Sequence, residues 1–164
     1  FVNLDRLPER HRSGHPGFVP YESFETKDAP LLVCCGNDRL FAKFAQELGH
    51  PEWVADPRFS SNRNRLANKI VLLEALIPLL REHPRAVWLA RFNKAGVPCA
   101  PVNTVPEALE DAQVQALKMQ SLVPGEDFVL TALPISFDGE RPVHRSVAPR
   151  LGQHNKDFAV PIKK

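Results

Sequence analysis

The chain has 164 residues, 43% of them hydrophobic, which suits one ordinary domain or a small domain with a trailing arm. Its 21 Lys and Arg against 19 Asp and Glu leave a formal charge of +2, scattered rather than blocked, which argues against a nucleic-acid partner. The longest apolar runs, Ile70 to Leu73 and Ala75 to Leu80, fall far short of the ~20 residues that cross a bilayer, so a soluble protein with no membrane partner is expected.

Residues 1–18 carry Arg6, Arg10, Arg12 and Gly14-His15-Pro16-Gly17 with no periodic apolar pattern, so an irregular lead-in or linker is predicted. Its order is expected to depend on something outside the chain. With neither an initiator Met nor a signal-type apolar core, Phe1 reads as a cut point. Tyr21, Phe24 and Thr26, then Leu31 to Cys35, predict two strands joined by a turn at Lys27-Asp28-Ala29-Pro30. Gly36-Asn37-Asp38 marks a turn and helix start, with Leu40, Phe41, Phe44, Ala45 and Leu48 on one face and Gly49 as the stop.

Asp56-Pro57 reads as an N-cap with proline at the first helical position. The spacing of Leu66, Ile70, Leu73, Ile77 and Leu80 then predicts a long helix over 62–82. Pro78 inside it removes a hydrogen bond, so a kink or an end near Ile77 is expected. Pro84 restarts a helix with Trp88, Leu89 and Phe92 inward and Gly96 at its close. Val97 to Val102 follows as extended chain whose two prolines bar it from a central strand. Thr104-Val105-Pro106-Glu107 has the form of a capping box. Met119 to Val123, Phe128 to Thr131 and Leu133 to Phe137 read as strands that join the first hairpin in one antiparallel sheet. The predicted class is α+β, a small antiparallel sheet packed with several helices. Residues 19–138 form the small domain and residues 139–164 an extended C-terminal arm.

Little in these residues announces chemistry. Cys34, Cys35 and Cys99 are odd in number, lack metal-ligand spacing and have no base placed to activate them, so they read as reduced packing cysteines. His11 and His15 at i,i+4 form the nearest approach to a ligand pair, on a segment too irregular to serve, so no metal is expected. The Gly14 and Gly17 segment lacks the Lys-Ser/Thr of a phosphate loop. Asp38 reads first as a helix cap, and Arg58, Arg63 and Arg65 as a solvated helix face.

Resemblance adds what residue chemistry does not. His15-Pro16, Pro20-Tyr21-x-x-Phe24-x-Thr26-x-Asp28, Gly36-Asn37-Asp38-x-x-Phe41, Leu48-Gly49, Asp56-Pro57-Arg58-Phe59 and Arg65-x-x-Asn68 follow one another in order. Trp88, Gly96-Val97-Pro98-x-x-Pro101-Val102, Asp111-x-Gln113-Val114 and Pro149-x-Leu151-Gly152-x-His154 complete the series. Together they resemble the family III CoA-transferases, the group of formyl-CoA transferase, carnitine CoA-transferase and α-methylacyl-CoA racemase. The resemblance implies the C-terminal half, with the small domain, of an enzyme that moves CoA between carboxylic acids. In that family an aspartate attacks an acyl-CoA to form a mixed anhydride and then an aspartyl-CoA thioester.

No residue here matches the motif around that aspartate, so no catalytic residue is assigned to this chain, and the isolated fragment is expected to be inactive. Gly14, His15 and Gly17, near the position of a mobile glycine-rich loop in formyl-CoA transferases, and Asn37 and Asp38 are the substrate-proximal candidates. The racemase branch has a glutamate about where Asp38 stands, and the Gly-Asn-Asp form is closer to a transferase. Ala29-Pro30 departs from the family's usual Asp-Gly turn. The resemblance further implies acyl-CoA and carboxylic acid substrates, no tightly bound cofactor, an interlocked homodimer, and a cytoplasmic location or a mitochondrial or peroxisomal matrix. Two alternatives stay open: a fragment of a 2-methylacyl-CoA racemase, and a non-catalytic acyl-CoA binding module.

Overall fold

Strands β1 (Tyr21–Glu25) and β2 (Pro30–Cys34) pair antiparallel, from Tyr21 opposite Cys34 to Glu25 opposite Pro30, in the computed structural model, which describes residues 10–158. Period-two alternation puts Leu31 and Val33 of β2 fully inside. Around the turn, the Thr26 hydroxyl lies 2.7 Å from Ala29 O and 2.9 Å from Asp28 Oδ1, and Pro30 takes the first place of β2, where its missing N–H is tolerated. Strand β3 (Cys99–Pro101) joins on the far side of β2, giving the order β1-β2-β3 and leaving the proline-flanked strand at the edge, as its prolines require.

Helix α1 (Asp38–Glu47) has the limits its sequence announces. The Asn37 side chain accepts the Leu40 N–H at 2.9 Å, Phe41, Phe44 and Ala45 are buried, and Gly49 closes it at φ 84°. A 3₁₀ turn, Pro51–Val54, then buries Trp53. Asp56-Pro57 opens no helix. The Asp56 carboxylate accepts the Arg58 N–H at 2.8 Å and grips its guanidinium at 2.6 Å, while the N–H groups of Phe59 and Ser60 return to Asp56 O. A turn results, and α2 (Asn62–Ala67) starts six residues on, capped by Ser61.

The expected long helix is two helices, α2 and α3 (Lys69–Leu80), parted at Asn68 with φ −111° and ψ 27°. The break resets the helical phase. Leu72, Leu76 and Leu80 are fully buried, whereas Ile70 and Ile77, expected inside, are 73% and 39% exposed. Helix α3 passes Pro78 and ends at Leu80, because Pro78 and Glu74, whose carbonyl loses its partner, both lie on the solvent side where water can bond it. Helix α4 (Arg85–Ala95) buries Trp88 and Phe92, and Gly96 at φ 70° terminates it. The Trp88 indole donates to Leu80 O at 2.8 Å, which satisfies a carbonyl at the end of α3.

These elements enclose one apolar cluster, in which Phe44 meets Phe92 at 5.2 Å and Phe92 stacks on Trp88 at 5.3 Å. The chain divides into two compact units between Val102 and Asn103, inside the stretch 19–138 read from the sequence as one domain.

The second unit holds α5 (Val105–Glu110), α6 (Ala112–Ala116), β4 (Gln120–Leu122) and β5 (Val129–Thr131). The Thr104 capping box forms in both directions, with Thr104 N–H donating to Glu107 Oε2 at 2.7 Å and Glu107 N–H to Thr104 Oγ1 at 3.4 Å. Strands β4 and β5 pair only with each other, which corrects the single sheet expected from the sequence. The hairpin has no edge to offer: β3 takes the side of β2, and on the side of β1 the lead-in bonds Tyr21 O through His15 N–H and Ser23 N–H through Ser13 Oγ. Of the third expected strand only a bridge between Phe137 and Glu140 forms. The class is α+β, and no helix among the described residues is long and apolar enough to cross a membrane.

Candidate functional site

Residues 10–18 have no helix or strand, yet they bond to β1 and α2. His15 N–H donates to Tyr21 O at 2.9 Å, Ser23 N–H to Ser13 Oγ at 3.2 Å, and Asn62 Nδ2 to Gly17 O at 2.8 Å, while Val19 N–H reaches Asn62 Oδ1 at 3.3 Å. One asparagine of α2 therefore holds both sides of Phe18. Residues 1–9 and 159–164, the outer ends of the expected lead-in and arm, lie outside the described residues.

Gly14 is needed for close approach. A Cβ there would stand 3.0 Å from His11 O and 3.2 Å from Lys69 Nζ. Beneath it Lys69 of α3 faces Glu22 of β1 at 3.8 Å, and Glu22 Oε1 is enclosed without a hydrogen bond.

The arginine expected in solvent does the opposite. Arg65 is fully buried, with Nε donating to Val19 O at 2.8 Å, Nη1 to Phe59 O at 2.9 Å and Nη2 to Asp38 Oδ1 at 2.8 Å, and its guanidinium lies 4.2 Å from the centre of the Phe41 ring. A guanidinium can be buried here because each edge of its fork finds an acceptor. Arg58, by contrast, is exposed and pairs with Asp56, whose carboxyl it holds below the ordinary range, mainly by hydrogen bonding.

Asp38 is not the cap of α1. Asn37 caps, and Asp38 pairs with Arg65 while 58% exposed. The five candidates named from the sequence thus stand at two places, Gly14, His15 and Gly17 on the lead-in and Asn37 and Asp38 at the start of α1. Asn62 and Arg65 of α2 connect them, and sequence reasoning missed that link. The signal available for it was the Arg65-x-x-Asn68 pair in the motif series.

Within the second unit, a cleft of about 940 Å³ is lined by Lys118, Gln120, Ser121, Arg141 and His144 among others, and His144 Nε2 is enclosed there without a hydrogen bond. It contains none of the sequence candidates.

Nucleophilic chemistry by thiol finds no support. Burial pushes Cys35 up to about 12, and burial raises Cys99 as well. Among the described residues no group of His, Cys, Asp and Glu could hold a metal ion, and all three cysteines are free.

The model of CoA-transferase family III matches residues 2–155. Acetyl-CoA:oxalate CoA-transferase of Acetobacter aceti is 36% identical, over 97% of this chain and 42% of that protein. Succinyl-CoA:glutarate CoA-transferase of Mus musculus is 29% identical over 90% of this chain and 35% of its own. A crystal structure of a CAIB/BAIF family protein from Brucella suis superimposes with a TM-score of 0.78 at 31% identity, covering 95% of this chain and 41% of that one. The chain thus spans about two fifths of the length of these relatives.

Proposed function

Because the chain belongs to CoA-transferase family III, we propose that it is the C-terminal portion of an enzyme that moves CoA between carboxylic acids and that it walls and covers the acyl end of the site. The reactive aspartate of the mixed-anhydride and aspartyl-CoA steps lies outside this chain. What carries the reading is the near end-to-end match to an acetyl-CoA:oxalate CoA-transferase. It is supported by the lead-in, where Gly14, His15 and Gly17 are held against β1 and α2 and can cover a bound acyl group.

The described residues favour a transferase over a racemase. The racemase branch carries a glutamate where this chain has Asp38, and here the shorter carboxylate pairs with Arg65 at 2.8 Å, in the Gly36-Asn37-Asp38 form closer to a transferase. The substrates are an acyl-CoA and a carboxylic acid, with CoA entering as a thioester rather than as a resident cofactor. The reading includes a homodimer, and a cytoplasmic or organelle-matrix location consistent with three free cysteines.

Assaying the 164-residue chain for exchange of CoA between acetyl-CoA and oxalate tests the placement of the nucleophile. No turnover is expected alone, and robust turnover would refute it. Calorimetry with acetyl-CoA separates this reading from a stand-alone binding module, which would bind without further chain. A strictly monomeric sedimentation profile of the whole enzyme would remove the dimer.

A further inference from the structure

We infer that His15 reads the carboxylate of the acid substrate, presenting its Nε2–H as a fixed hydrogen-bond donor. This deepens the transferase reading and rests on it. The Gly17 backbone N–H can only donate, and it meets His15 Nδ1 at 2.9 Å. Nδ1 is therefore the acceptor, and the proton of the neutral ring sits on Nε2.

The direction of that donor is set from several sides. Phe18 packs on the imidazole at 5.0 Å and Tyr21 at 5.2 Å, both tilted. The backbone beneath is tied on both sides, through His15 N–H to Tyr21 O and through Gly17 O to Asn62.

The bonds of this turn engage the His15 N–H, Nδ1 and both backbone groups of Gly17, but Nε2 has no hydrogen-bond partner among the described residues. Nor is it enclosed, as Glu22 Oε1 and His144 Nε2 are. A donor oriented at this cost in order, and left open, suits an acceptor supplied from outside. A carboxylate fits because it only accepts and because hydrogen bonds to charged acceptors are the stronger kind.

The bland role for His15 is to staple the turn through Nδ1 alone, and two substitutions separate the roles. In His15→Asn the amide oxygen can take the place of Nδ1 and keep the Gly17 bond, but nothing reaches the place of Nε2. In His15→Gln an amide N–H reaches that place. In the whole enzyme, with acetyl-CoA as donor and oxalate as acceptor, His15→Asn should raise the oxalate KM by about tenfold or more, with the acetyl-CoA KM moved by less than about twofold. His15→Gln should recover most of the loss. Unchanged oxalate KM in His15→Asn, or a loss that His15→Gln does not repair, overturns the inference.

Nitrogen NMR of His15 in the wild-type protein adds a readout independent of turnover. The ring should show the Nε2–H tautomer, and added oxalate should shift Nε2 ahead of Nδ1. An Nδ1–H tautomer, or no response to oxalate, refutes the role. If the whole enzyme transfers no CoA, the functional reading fails, and this titration still decides whether His15 binds a carboxylate.

Discussion

Replacing Arg65 by methionine removes a buried guanidinium and strands the two carbonyls it serves. Val19 and Phe59 are themselves buried, at 0% and 2% exposure, so water does not replace the lost donors at Val19 O and Phe59 O. Each orphaned acceptor costs about 1–3 kcal/mol, and the lost cation–π contact with Phe41 adds about 1 kcal/mol. Methionine fills much of the volume and no longer buries a charge, which offsets about 1–2 kcal/mol and leaves a net loss of about 3 kcal/mol. Asp38→Asn provides the control. Its carboxylate is 58% exposed, the asparagine oxygen can still accept from Nη2, and the cost should stay at about 1 kcal/mol or less. Urea unfolding followed by the fluorescence of the buried Trp53 and Trp88 reads both variants. The reasoning fails if Arg65→Met lies within about 1 kcal/mol of wild type, or if Asp38→Asn costs as much as Arg65→Met.

Three further outcomes are expected. The Arg85 backbone N–H, and after it the Thr26 hydroxyl, hold Asp28 below the usual carboxylate range, so its contribution is complete above about pH 4 and is lost as pH falls through the depressed value. The wild-type advantage over Asp28→Asn in urea midpoint should accordingly shrink on acidification below that point, and an advantage that grows there contradicts the assignment. Cys35, with its pKa near about 12, is thiolate in about one molecule in ten thousand at about pH 8. Iodoacetamide should leave it unmodified in the native chain while labelling it after denaturation, as tandem mass spectrometry of the Cys34-Cys35 peptide will show. Thr104→Ala breaks the capping box and should weaken α5 by about 1 kcal/mol, seen as faster exchange of the Glu107 amide proton.

Local chemistry made α1 and α5 legible, because Asn37, Gly49 and the Thr104-Glu107 pair mark helix ends by bonds that span only a few residues. The division of 62–82 into two helices was not. The run Lys69–Leu80 is apolar nearly all round, so its composition does not say which face turns inward once Asn68 has reset the phase. Arg65 was hidden for another reason: beside Arg58 and Arg63 it has the pattern of a wet surface. Its burial depends on Val19 O and Asp38, brought from 46 and 27 positions away in the chain. The pairing of β4 with β5 was obscured by a similar distance effect, since the lead-in that occupies the edge of β1 carries no strand signal. For the candidate site, motif resemblance named residues at the lead-in and at the start of α1. The α2 side chains that connect them became visible only in three dimensions.

Apolar burial is lopsided along this chain. The large enclosed cluster lies wholly between Val19 and Val97, whereas beyond Val102 the described residues bury only Val123 and Ala132, with Leu122 and Phe137 about two-thirds uncovered. Heat uptake on melting scales with such enclosed area, so the first unit should supply most of it. The main endotherm should draw chiefly on the packing of residues 19–97.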